Sequence, residues 1–309
     1  MSAPTKPQLV EEIMAWKKKR NALILAHNYQ TGDIQDIADL TGDSLLLSQR
    51  AAANDAEVIL FAGVHFMAET ASILSPQKKV IIPDVDAGCS LADMVKPEDI
   101  RAWREKNPDG VVVCYVNTTA AVKAECDYCC TSSNAERVVR AIPADKKILF
   151  VPDHFLGSYV KAKTGRENIE LWRGYCLVHM MIQANDIEKI REQYPDAEVL
   201  VHPECASVLH CIQCGYTIAS TEGMIRRARE SQAKTFIVAT EPGILHRLQK
   251  ENPGKTFLPA VPDAICCYMK VNTLEKMLAA LKDLWPEVKV PKALADRARL
   301  CIQRMLEIS

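Results

Sequence analysis

The sequence predicts an α/β protein made of three similar α/β/α, Rossmann-like units, with parallel sheets arranged about a pseudo-threefold axis and a candidate active site at the centre. Three observations predict it. Cysteine recurs in one local setting: KKVIIPDVDAGC ends at Cys89, ENIELWRGYC at Cys176 and KTFLPAVPDAIC at Cys266, at intervals of 87 and 90 residues. Serine keeps a matching beat, with Ser44, Ser132 and Ser220 each 88 residues apart. Apolar runs of strand length alternate with amphipathic stretches and end in polar residues, the pattern of parallel strands buried on both faces.

Taken in order, LVEEIMAWKKKR has helical periodicity, with acids early and bases late to suit the helix dipole. ALILAHNYQ is a buried strand and GDSLLLSQRAAA a helix beginning near Ser44. EVILFAGVHFMAE is a second strand, ending at His65 and Glu69. KKVIIPDVDAGC is the third strand, and the amphipathic helix PEDIRAWREKNPD follows it. The same order then recurs from VVVCYVN to ENIELWRGYC and ANDIEKIREQYPD, and again from EVLVHPE to KTFLPAVPDAIC and NTLEKMLAALKDLWPE. His65, His154 and Glu241 fall at matching points. Each unit therefore reads β-α-β-α-β-Cys-α, with the units at 1–92, 93–178 and 179–290 and a closing helix at 291–309 that joins the first. Right-handed crossovers put ligand sites beyond the carboxyl ends of such strands, and every polar cluster here lies at such an end.

Composition narrows the function. With 309 residues, 48% of them apolar, a large core is available; a net charge of −1 with balanced signs gives no signal for nucleic acid or a membrane surface. The N-terminal stretch has no basic and apolar leader pattern, and no apolar run has the roughly 18 residues of a membrane span. A cytoplasmic protein is expected. Twelve cysteines in that compartment point to metal or thiol chemistry rather than disulfides.

Any one of Cys89, Cys176 and Cys266 could be a buried structural thiol. Three at equivalent points suit a [4Fe–4S] cluster with one iron left open, a Lewis acid for loss of water. Groups at three strand ends, His27-Asn28-Tyr29, Tyr115-Val116-Asn117 and His202-Pro203-Glu204, carry the common proton-transfer side chains. They either satisfy one another in a polar core or share a site. Ser44, Ser132 or Ser133, and Ser220 or Thr221 precede helices; Ser133-Asn134-Ala135-Glu136 fits a capping box, and such helix starts also hold carboxylate or phosphate. Cys126-x-x-Cys129 with Cys130, and Cys211-x-x-Cys214, are open to three readings: a zinc site, a redox pair or idle buried thiols. Cys114, Cys205 and Cys301 read as structural, and Cys267 beside Cys266 leaves the third ligand ambiguous.

At these residues the chain resembles the quinolinate synthase family. The strings ILAHNYQ, DIADLTGDSL, GVHFMAE, DVDAGC, YVNTTAAVKAECDYCCTSSNA, GYCLVH, VHPEC and MKVNTLEKML carry the resemblance in order over nearly the whole sequence. The resemblance implies three α/β/α domains holding a [4Fe–4S] cluster on Cys89, Cys176 and Cys266. It implies condensation of iminosuccinate with dihydroxyacetone phosphate to quinolinate, phosphate and water, in the de novo biosynthesis of NAD. Substrate binding would fall to His27, Ser44, Tyr115, Val116, Asn117, Ser132, His179, His202, Pro203, Glu204 and Thr221. Proton transfer would fall to Tyr29 and Glu204, with His27 and Tyr115. An L-aspartate oxidase is the implied source of the imine. The chain departs from the family pattern at Leu177, where a proline is expected, at the Cys266-Cys267 doublet, and in the cysteine-bearing loop between Glu204 and Thr221. Other readings remain: another iron–sulfur hydro-lyase acting on a small di-acid, a non-catalytic iron–sulfur sensor, or a zinc-stabilised scaffold.

Overall fold

A computed structural model describes residues 5–308. The first unit comprises α1 (Lys6–Lys19), β1 (Ala22–His27), α2 (Gly32–Ile37), β2 (Leu40–Gly42), α3 (Ser44–Ala52), β3 (Val58–Ala62), α4 (His65–Leu74) and β4 (Lys79–Ile81). The second comprises α5 (Pro97–Lys106), β5 (Val111–Tyr115), α6 (Ala120–Lys123), β6 (Tyr128–Cys130), α7 (Ala135–Ala141), β7 (Ile148–Val151), α8 (His154–Thr164) and β8 (Ile169–Leu171). Next come α9 (Leu177–Met180), α10 (Ala184–Gln193), β9 (Glu198–Val201), α11 (Val208–Gln213), β10 (Thr217–Ile218), α12 (Thr221–Glu230), β11 (Thr235–Ala239), α13 (Ile244–Glu251) and β12 (Thr256–Pro259). The chain finishes with α14 (Cys267–Lys270), α15 (Leu274–Asp283) and α16 (Lys292–Glu307).

Three four-stranded parallel sheets result, ordered β2-β1-β3-β4, β6-β5-β7-β8 and β10-β9-β11-β12. The central strands β3 and β7 are buried throughout, as VILFA and ILFV require, because helices cover both faces. Each unit has one strand more than the periodicity predicts. The extra strands β2, β6 and β10 are three, three and two residues long, too short to show a period of two. The run EVILFAGVHFMAE also divides: β3 stops at Ala62 and His65 opens α4, where Phe66, Met67, Ala68 and Ala71 are buried. His65 and Glu69 therefore lie on a helix.

The last two helices do not stay with the third sheet. Leu274, Met277, Leu278 and Leu281 of α15 pack with Leu9 and Ile13 of α1 over Ile24, Leu60 and Ile81 of the first sheet. The sequence sets the closing helix on the first unit, whereas α16 lies mainly along α6 and β6 of the second and touches α4 of the first. Local bonds fix that seat: Cys301 Sγ donates to Lys123 O at 3.3 Å, and Asn134 Nδ2 to Met305 O at 3.0 Å. Residues 1–4 and 309, inside the predicted outer boundaries, lie outside the described residues. Among the described residues no helix is long and apolar enough to cross a membrane.

Candidate active site

Cys89, Cys176 and Cys266 all line one cavity of about 170 Å³. Cys89 sits in the loop after β4, while Cys176 and Cys266 are the N-caps of α9 and α14. One local turn recurs at all three. The backbone N–H three residues on, from Ala92, His179 or Met269, lies beside the cysteine sulfur and favours its thiolate, and the Met269 N–H also donates to Cys266 O at 3.1 Å. Burial pushes the Cys89 thiol up to about 12, the Cys266 thiol to about 11, and the Cys176 thiol well above its usual value. Glu204 and other cysteines of the set raise Cys89 and Cys176 further, and Glu241 and Cys267 raise Cys266. Gly174 lets the Cys176 loop lie against the end of β7, since a Cβ there would stand 2.3 Å from Pro152 O. Cys266 is half-buried and Cys267 exposed.

Beside the thiols stands a buried group of imidazoles, phenols and one carboxylate. Glu204 Oε2 lies 3.3 Å from His179 Nδ1 and 3.2 Å from His202 Nδ1, and the two rings stack at 4.7 Å. These contacts are close but not aligned as hydrogen bonds, and Glu204 Oε1 and both Nδ1 atoms have no hydrogen-bond partner. Burial raises the Glu204 carboxyl above its usual range. Burial lowers His27 and His202 to about 3 and His179 to about 4, so all three imidazoles are neutral at pH 7. Tyr29 Oη meets Thr240 Oγ1 at 2.5 Å, and Thr240 Oγ1 meets His179 Nε2 at 2.9 Å. Tyr115 hydrogen-bonds Glu204 and Ser132. Burial, reinforced by the Glu204 charge, keeps both phenols protonated.

Helix starts complete the cavity. Ser44, Ser132, Thr221 and Asn117 line it, with Asn117 Oδ1 buried and without a partner. Ser44 is the first residue of α3 rather than its cap; Asp43 is the cap and accepts from Leu46 N at 2.9 Å. The predicted capping box at Ser133 is absent, because α7 starts one residue later with Asn134 as N-cap. Ser133 is turned to another use: its hydroxyl donates to Asp43 Oδ2 at 2.6 Å and meets Ser220 Oγ at 2.8 Å, joining all three units. Ser220 caps α12 through Gly223 N. Thr221 accepts from Asn28 Nδ2 at 2.9 Å.

Of the sequence-predicted site residues, His27, Tyr29, Ser44, Tyr115, Asn117, Ser132, His179, His202, Glu204 and Thr221 come together here. Two do not line the cavity. Val116 is buried, and its carbonyl accepts from Lys123 Nζ at 2.7 Å. Pro203 faces a neighbouring surface depression with Asp43, Ser133 and Arg226. Sequence reading missed Thr240, Glu241 and Lys270. Glu241 is fully buried, pairs with Lys270 Nζ at 2.8 Å and accepts from Cys266 N at 3.3 Å, which steadies the third thiol loop. Its place in the repeat, matching His65 and His154, was the available signal. Cys126 and Cys129 gather with Cys114 and Cys301 near β5, β6 and α16, where Cys126 Sγ donates to Val122 O at 3.1 Å and Cys301 Sγ to Lys123 O.

Comparison with known proteins gives one consistent family. The sequence profile of the family described as quinolinate synthetase A protein matches residues 11–307. The chain is 51% identical over 307 residues to a quinolinate synthase of Pyrobaculum aerophilum, covering 97% of this chain and 100% of that one. It is 50% identical over 302 residues to one of Thermus thermophilus, covering 97% of each chain. With one of Trichodesmium erythraeum it is 49% identical over 306 residues, covering 97% of this chain and 94% of that one.

Proposed function

We propose a chemistry for this site from the premise that the chain belongs to the quinolinate synthetase A family. It is an enzyme of quinolinate synthesis in NAD biosynthesis. The proposed reaction joins iminosuccinate and dihydroxyacetone phosphate into quinolinate, with release of phosphate and two waters. The observation that carries it is the set of three thiols, each in the same turn with a backbone N–H beside its sulfur, facing one cavity with neutral imidazoles and a buried carboxylate.

The thiols fit a cubane cluster. They are soft ligands, and burial keeps them protonated unless a cation holds them as thiolates. Cys89, Cys176 and Cys266 would hold a [4Fe–4S] cluster, which supplies when bound an open iron as Lewis acid for the departing hydroxyl. The other steps belong to this chain's residues. The hydroxyls of Ser44, Ser132 and Thr221, with the helix starts of α3 and α12, bind the di-acid carboxylates. Asn117 Oδ1 is a free acceptor for a substrate N–H or hydroxyl. Glu204 takes and returns protons in isomerisation and dehydration, with its charge set by burial. Tyr29, Thr240 and His179 form a hydrogen-bonded line along which a proton can move. The neutral rings of His27 and His202 orient the substrate without repelling a cationic imine.

All twelve cysteines carry free thiols, which supports work in the reducing cytoplasm. The imine hydrolyses in water, so an L-aspartate oxidase acting nearby is the proposed supplier. Anaerobic, cluster-loaded protein given freshly generated iminosuccinate and dihydroxyacetone phosphate should form quinolinate. Failure to form it, with iron and sulfide present, rejects the proposal.

A further inference from the structure

We propose that Glu188, His210 and Cys214 form a zinc-binding site on the outer face of the third unit. None of the three lines the central cavity, and none has a role in the chemistry above. His210 lies in α11 and Cys214 is the residue that ends it, four positions on and therefore on the same face. Glu188 comes from α10. The three ligand atoms all lie within 4.8 Å of one another. His210 Nε2 is 3.4 Å from Glu188 Oε1 and 3.3 Å from Cys214 Sγ.

Those separations suit a shared ion better than a set of hydrogen bonds. With a Zn–N bond near 2.0 Å, Zn–O near 2.0 Å and Zn–S near 2.3 Å, a tetrahedral ion holds its ligand atoms roughly 3.3–3.5 Å apart. A neutral imidazole Nε2 has either one proton or one lone pair, so it cannot serve a carboxylate and a thiol equally. A zinc ion satisfies all three and leaves one position to water. The oxygen, nitrogen and sulfur set matches zinc's borderline softness. Tyr216 Oη donates to the Glu188 carboxylate, 2.9 Å from Oε1 and 3.0 Å from Oε2, an outer contact that aims it. A redox role for Cys211-x-x-Cys214 fits less well, because the Cys211 thiol is buried and hydrogen-bonds Ser207 while Cys214 is exposed. The ion would tie α10 to the helix that follows Glu204, and binding would release the thiol proton to solvent.

The test uses the cluster-loaded protein, kept anaerobic and washed with chelator, titrated with zinc alone against a zinc-sensing dye. Cobalt in place of zinc reports thiolate ligation through its absorption bands, read as a difference spectrum. One zinc per chain should bind, more tightly as pH rises. His210→Ala and Cys214→Ala should each weaken binding at least about 10-fold, and Tyr216→Phe by about 10-fold. Both substituted ligands are exposed, and an unchanged unfolding midpoint in chelator checks that the variants fold. Sub-stoichiometric uptake, or uptake that survives both ligand substitutions, overturns the assignment. So does loss of binding in Cys211→Ala with retention in Cys214→Ala.

Discussion

Replacing Glu204 by glutamine separates two quantities that most active-site substitutions mix. The carboxylate is 3% exposed, 3.2–3.3 Å from two neutral imidazoles and hydrogen-bonded to Tyr115. Glutamine keeps the size and removes the proton acceptor. A positioned acid or base contributes about two to four orders of magnitude in rate, or about 3–5 kcal/mol of barrier. Glu204→Gln should therefore lower kcat by at least about 100-fold, with little change in KM. Stability should move the other way. Burial raises the folded-state carboxyl above its unfolded value. That group stabilises the fold fully at low pH, and the contribution is lost as pH rises through the folded pKa. At neutral pH the buried charge costs about 1.4 kcal/mol for every tenfold gain in proton affinity on folding, and the amide removes that cost. The assay pairs quinolinate formation with urea unfolding followed anaerobically at pH 7.5. A variant within about 3-fold of the parent rate, or one that unfolds at clearly lower urea, refutes the reasoning.

Four further outcomes follow from the geometry. Cys89→Ala, Cys176→Ala and Cys266→Ala should each abolish the cluster's EPR signal and retained iron, while Cys267→Ala, whose thiol is exposed, should keep both. His27 has a folded pKa of about 3 against an ordinary 6.5, so the native state resists protonation and loses stability as pH falls below 6.5. His27→Gln lacks that penalty, and its stability relative to the parent should rise by about 2 kcal/mol from pH 7 to pH 5 in urea titrations. Ser133→Ala removes bonds to Asp43 and Ser220 and should lower stability by about 1–3 kcal/mol without changing iron content. Glu241→Gln leaves Lys270 without its charge partner and should lower the free energy of unfolding by about 3 kcal/mol or more, together with iron retention.

Much of this was legible in the residues. The cysteines could be aligned because each ends the same strand-and-turn setting, and the strands because buried parallel β is written as unbroken Val, Ile and Leu. The edge strands β2, β6 and β10 left no trace at two or three residues. His65-Phe66-Met67 read as strand because a helix that begins two residues after a strand continues its apolar run. The serines were legible as helix starts, but which residue caps depended on a one-residue shift: Asp43 and Asn134 took the position, freeing Ser133 to bridge the units. Thr240 and Lys270 were out of reach, since their place in the site depends on side chains that meet only after three sheets come together. The destinations of α15 and α16 were likewise hidden. An amphipathic helix announces its apolar face but not the surface that will receive it.

The return of α15 to the first sheet sets the order in which this chain can mature. The ribosome delivers that sheet first, yet part of the cover of this face, α15, emerges about two hundred residues later. Until then Ile24, Leu60 and Ile81 lack that part of their shelter, and a nascent chain depends on α1 and the short α2 to keep them from water or from a neighbour. The three thiols acquire their common setting only near the end of synthesis. Loading of iron and sulfide then becomes a step for the finished polypeptide, and a chain cut short before Leu274 is a substrate for chaperones and proteases rather than a smaller enzyme.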